Sequence, residues 1–71
     1  MEKLQKLLEI EGYASIETLM EAVLSDSVSP AICMNEGCDF TAEMEPDQDA
    51  GFCDNCRANS MRAAPVLAGL I

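Results

Sequence analysis

All four cysteines of the chain fall in two short stretches, CMNEGC (33–38) and CDNC (53–56), and the sequence contains no histidine. The spacing is C-x4-C-x14-C-x2-C, carried by Cys33, Cys38, Cys53 and Cys56. Two close pairs set apart by a hairpin-sized insert are what a tetrahedral ion needs. Each pair forms a tight knuckle whose backbone amides can point at the sulfurs. The hairpin then brings the knuckles together until four thiolates lie about 2.3 Å from one zinc. Asn35 and Gly37 suit the sharp backbone of the first knuckle, Asn55 that of the second, and Gly51 the return before Cys53. The expected cofactor is one structural Zn2+.

Other uses of the cysteines fit less well. Two disulfides suit a secreted chain, but the N-terminal MEKLQKLLEIEG has no apolar run long enough for a signal peptide, so the expected location is the reducing cytoplasm. A dithiol–disulfide catalyst built on CDNC belongs at the start of a helix in a larger α/β domain. A rubredoxin-like iron electron carrier has the right ligands but a thin aromatic shell, since Tyr13, Phe40 and Phe52 are the only aromatics. Four protein thiolates leave no coordination position for water or substrate, and no spare base stands beside them, so no enzymatic activity is expected. Arg57 directly follows the last ligand, with Arg62 close behind. A guanidinium there could offset the double negative charge of a zinc tetrathiolate. DQDAG (47–51) begins like a calcium loop but lacks its later glycine and glutamate, and reads as a solvated turn.

Seventy-one residues make one domain at most, and a chain this short gains little from its apolar core. Two segments divide near residue 28. Residues 1–28 read as a helical hairpin. Leu4, Leu7 and Leu8 form one apolar stripe, Gly12 ends the first helix, and Ser15 caps the second with Glu17 near its positive end. Ile16, Leu19, Met20, Val23 and Leu24 then form a second stripe, which SDSVSP (25–30) stops at Pro30. Tyr13 is expected to lay its ring over the hairpin. The exposed face of the second helix offers Glu17, Thr18, Glu21 and Asp26, the wrong groups for a DNA-reading helix.

Residues 29–71 are the metal module. Phe40, Ala42 and Met44 alternate with Thr41, Glu43 and Glu45 as in a half-buried strand, EPDQDAG (45–51) is a turn, and Phe52 opens the return strand. SMRAAPVLAGLI (60–71) is a third strand or a short helix from Pro65, because a proline opposes one helix through the whole stretch. The expected fold is a small metal-stapled α+β domain: a helical hairpin plus a zinc-ribbon-like β-hairpin or three-stranded sheet.

From residue 31 to about 67 the sequence resembles the zinc ribbon class, in which two cysteine knuckles clamp zinc at the end of a small antiparallel sheet. The resemblance implies Cys33, Cys38, Cys53 and Cys56 as ligands; it departs from the class at the first knuckle, where ribbons mostly have two intervening residues and this chain has four. Through Ser29, Pro30, Ile32, Cys33, Asn35, Gly37 and Cys38, and through the ending Pro65–Ile71, the whole chain also resembles a group of small uncharacterised bacterial and phage-borne proteins. That resemblance implies no function.

Thirteen acidic residues stand against Lys3, Lys6, Arg57 and Arg62, a net charge of −9. The excess is spread over both segments. Nucleic-acid affinity is built from Lys and Arg displacing counterions, so this charge weighs against a nucleic-acid-binding ribbon acting as a transcription accessory. No stretch approaches the length of a membrane helix. The expected partner is another protein, bound by an adaptor or inhibitor, and the apolar tail VLAGLI either completes the core or forms a homodimer or partner contact.

Overall fold

The computed structural model describes residues 2–70. The elements run α1 (Glu2–Glu11), α2 (Ile16–Asp26), β1 (Ser29–Cys33), β2 (Thr41–Met44), β3 (Gly51–Cys53), β4 (Ala58–Ala63) and α3 (Ala64–Leu67). Both long helices form where the apolar stripes place them. At the end of α1, Gly12 takes φ +80 and the Tyr13 amide donates to the Leu8 carbonyl at 2.9 Å, satisfying a terminal acceptor. The Ser15 hydroxyl accepts from the Thr18 amide at 3.3 Å and caps α2. Leu19 and Val23 are buried, but Leu24 is 80% exposed. Each helical residue turns about 100° from the last, so Leu24 lies at the rim of the arc that Leu19 and Val23 centre on the core.

The sheet has four antiparallel strands, not the three at most expected, in the order β2-β1-β4-β3. The additional strand is Ser29–Cys33, where Pro30 reads in the sequence as a helix stop. Pro30 is tolerated in this central strand because of its register. Cys33 and the other odd residues of β1 face β2 with their backbone groups, as the 3.0 Å bond from the Cys33 amide to the Phe40 carbonyl shows. Even residues face β4, whose pairing with β1 already ends at Ala31↔Ala63. The missing Pro30 N–H therefore points where the neighbouring strand has turned into α3. The strands flanking the 45–50 turn do not pair with each other; β2 and β3 are the two edges of the sheet. Each instead forms a hairpin with the central strand on its own side, β1–β2 and β3–β4.

Alternation along β1 divides the interior between the two faces of the sheet. Ile32 joins Leu4, Leu7, Leu19, Val23 and Ala64, with Tyr13, Ile16, Met20 and Leu67 packed around them. Residues on either side of position 28 thus share one core. Ala31 and Cys33 turn to the other face, with Cys38, Cys53, Met61 and Ala63. The C-terminal stretch is both strand and helix: β4 ends at Ala63 and α3 begins at once, with Pro65 in its first turn, where a missing N–H costs nothing. Ala64 and Pro65 are buried and Leu67 and Ala68 rest on the helix core, while Leu70 is exposed. Ile71 lies outside the described residues.

Candidate metal centre

Because β1 and β4 run antiparallel at the centre of the sheet, the turns of the two hairpins emerge at the same end. Cys33 closes β1 and Cys53 closes β3; Cys38 and Cys56 lie in the turns that follow. All four Sγ atoms lie within 4.8 Å of one another. The shortest approaches join one hairpin to the other, Cys33–Cys56 at 3.7 Å and Cys38–Cys53 at 3.8 Å. Four sulfurs about 2.3 Å from a central ion, at the corners of a regular tetrahedron, are about 3.8 Å apart. All four cysteines are free thiols, and only Cys56 is partly exposed. The donor set and its spacing fit a tetrahedral metal, and these are the four residues marked by the sequence.

The two knuckles close differently. In the short one, the Cys56 amide donates to Cys53 Sγ at 3.3 Å and the Arg57 amide to the Cys53 carbonyl at 2.7 Å. Arg57 reaches that position with φ +58, a left-handed conformation unusual for a residue with a Cβ. Its backbone finishes the knuckle; its side chain is exposed and makes no hydrogen bond or ion pair among the described residues. In the longer knuckle, the Cys38 amide donates to the Asn35 carbonyl at 3.1 Å, and Gly37 turns the chain with φ +81. Lys3 of α1 supplies the remaining closure. Its Nζ donates to the carbonyls of Asn35, at 2.9 Å, and Cys38, at 2.6 Å, with Asp39 Oδ1 at 3.5 Å.

Side chains from the turns and from β4 address the sulfurs. Asn55 Nδ2 donates to Cys38 Sγ at 3.2 Å, and Ser60 Oγ lies 3.1 Å from Cys33 Sγ. Ser60 reaches the cluster because the β3–β4 register slips: Gly51 pairs with Met61 but Cys53 pairs with Ala58. One extra residue of β4 is taken up between them. Such a bulge re-aims a side chain that strict alternation would point to the other face.

These contacts set the thiols apart. The Asn55 amide, with help from the Phe40 backbone and from Cys56 and Cys33, holds Cys38 down at about 6. At Cys56 a downward pull from Asn35 is outweighed by Cys38, burial and the other two thiols, which push it up to about 11. A thiol must lose its proton to bind a metal, so the lowered value would make Cys38 a ready ligand near neutral pH.

Sequence reading missed Lys3 and Ser60 and gave Asn55 only a backbone role. The pairing of Lys3 with a loop more than thirty positions away leaves no local trace. Its one clue is scarcity, since it is one of four bases in the chain. Comparison with protein-family models, with curated proteins and with solved structures gives no match. Among the described residues no helix is long and apolar enough to cross a membrane.

Proposed function

We propose that the protein is a small acidic zinc-binding interaction module, an adaptor or inhibitor that docks on another protein. Its zinc is held by Cys33, Cys38, Cys53 and Cys56 and serves folding. The observation that carries this reading is the mutual approach of four sulfurs at tetrahedral spacing. Apparent zinc binding in small fingers is worth about 10–16 kcal/mol near neutral pH. A core of this size supplies about 3–5 kcal/mol. Four protein ligands fill the tetrahedron, which assigns the metal a structural task and no catalytic one. Iron fits the same sulfurs, and metal analysis of the protein as isolated separates the zinc reading from a rubredoxin-like carrier.

With the metal given to folding, the working part is the surface. On α2, Glu17, Glu21 and Leu24 recur at i, i+4, i+7 and all are exposed. An apolar side chain 80% open to water among acids suits a partner with an apolar pocket and a basic rim. Nucleic acid suits it poorly, because Lys3 and Lys6, half of the chain's bases, are drawn onto Asp39. In the tail, Leu67 and Ala68 pack against the core, while Leu70 is exposed and available for a homodimer contact.

The test is affinity capture by the full chain from nuclease-treated host lysate, with Leu24→Asp and Cys33→Ser in parallel. The expected result is one protein partner in stoichiometric yield, lost with Leu24→Asp although that variant melts like wild type. Capture of nothing but the protein itself, or tight binding to DNA or RNA at about 0.15 M salt that weakens steeply as salt rises, would overturn the reading.

A further inference from the structure

Lys3 is 32 positions from Asn35 and 35 from Cys38, yet its ammonium sits between their carbonyls and beside the Asp39 carboxylate. Its side chain is only 18% exposed, whereas Lys6, 3.9 Å from the same carboxylate, is half exposed. The contrast between the knuckles explains what the buried ammonium does. The C-x2-C knuckle closes on itself, through the amides of Cys56 and Arg57. The C-x4-C knuckle is two residues longer and turns the carbonyls of Asn35 and Cys38 toward α1. Without a cation there, two carbonyl dipoles and a carboxylate would converge next to a ligand.

We propose that Lys3 is a positioning residue of the metal centre. It clamps the long first knuckle in the shape that presents Cys38 to the ion, brings positive charge to a tetrathiolate in a chain of net −9, and couples docking of α1 to metal binding. This rests on the zinc reading given above. The coupling follows from connectivity. Leu4, next to Lys3, and Leu7, one turn on, pack in the core that also holds Ile32, and Ile32 is the neighbour of the ligand Cys33. One helix therefore touches both ends of the knuckle, by packing at Cys33 and by the ammonium at Cys38. Metal binding must then order α1, and a docked α1 must strengthen metal binding by the same factor.

The test compares the full chain with Lys3→Met, Lys3→Arg and Lys6→Met. Cobalt(II) loading first shows whether four thiolates bind, from the intensity of the visible bands. Zinc affinity is then measured by competition with a chromogenic chelator. Lys3→Met is expected to keep the cobalt bands and to bind zinc about 10- to 100-fold more weakly. Lys3→Arg, which keeps the charge, recovers most of that loss. Lys6→Met stays within about two-fold of wild type, because its ion pair with Asp39 is exposed on both sides and contributes little. In wild type, zinc slows hydrogen exchange of the α1 amides, and in Lys3→Met this protection disappears. Zinc affinity of Lys3→Met within two-fold of wild type overturns the proposal, as does an unfolded Lys3→Met whose affinity Lys3→Arg fails to recover. Wild-type protein without tetrathiolate cobalt bands would instead sink the metal reading itself.

Discussion

Replacing Cys53 by serine isolates the contribution of one thiolate. Cys53 is fully buried at the end of β3, its Sγ is 3.8 Å from Cys38 Sγ, and it accepts the Cys56 amide that closes the second knuckle. A hydroxyl is nearly isosteric but a poor zinc ligand, so the variant keeps the packing and loses the bond. Structural zinc contributes about 10–16 kcal/mol over four ligands, which gives each about 3–4 kcal/mol. The apolar interior must be set against that figure. Among the described residues, its buried members on the helix face are Leu4, Leu7, Leu19, Val23, Ile32 and Ala64; on the cysteine face, apart from the thiols, they are Ala31, Met61 and Ala63. A core of that size leaves a net margin of about 3–5 kcal/mol at best. Loss of one thiolate thus removes a quantity comparable to all that the apolar core supplies. The expected result by far-UV circular dichroism is a clearly lower melting temperature for Cys53→Ser in equimolar zinc, and a larger fall in wild type after a strong chelator, which leaves the metal-free fold only the margin of its core. A Cys53→Ser protein that melts like wild type, or a wild-type melt indifferent to chelation, would refute the claim that the metal carries the fold.

Three further outcomes follow from particular contacts. In metal-free protein, absorbance near 240 nm should report a thiolate appearing with a midpoint at about 6 for Cys38, and Asn55→Ala should move that midpoint upward. The sign for stability is set by the ordinary thiol value of 9.0: the depressed Cys38 stabilises the metal-free fold fully above pH 9, progressively less as pH falls toward 6, and not below. Cys56, raised to about 11, acts in reverse, with its contribution full below pH 9 and lost as pH rises to 11, so these two thiols together favour the fold most near pH 9 in urea titrations at stepped pH. Ser15→Ala should lower stability by about 1 kcal/mol in chemical denaturation, since it leaves the Thr18 amide unpaired at the start of α2. Gly37→Val should cost about 1–2 kcal/mol or more in the same assay and weaken zinc binding, because a β-branched residue resists the φ of +81 that turns the first knuckle; unchanged affinity would place that turn outside the site.

How far the molecule was legible from sequence depends on the range of the information each feature needs. The four sulfurs were legible because ligand type and spacing are local, and the helix ends at Gly12 and Ser15 because caps are. Leu24 was misjudged because a stripe in sequence has no fixed width until a second surface meets it, and here the burial of α2 stops at Leu19 and Val23. The strand at Ser29–Cys33 was hidden by Pro30, whose missing N–H is harmless only in a register that the sequence does not display. Ser60 was hidden by a slip of one residue in the β3–β4 pairing, and Lys3 by a loop-to-helix contact set by the whole fold. These last two act on the cluster itself, so the local motif marks the four cysteines while the tertiary structure decides how they are held. A donor set of four cysteines is common chemistry. In this chain a bulge turns a hydroxyl onto Cys33 and a distant ammonium holds the carbonyl of Cys38, and both contacts require the sheet and α1 to be in place first. The arrangement of the four sulfurs therefore depends on the fold around them, which is why, on the zinc reading, affinity for the metal is expected to respond to a lysine that never touches it.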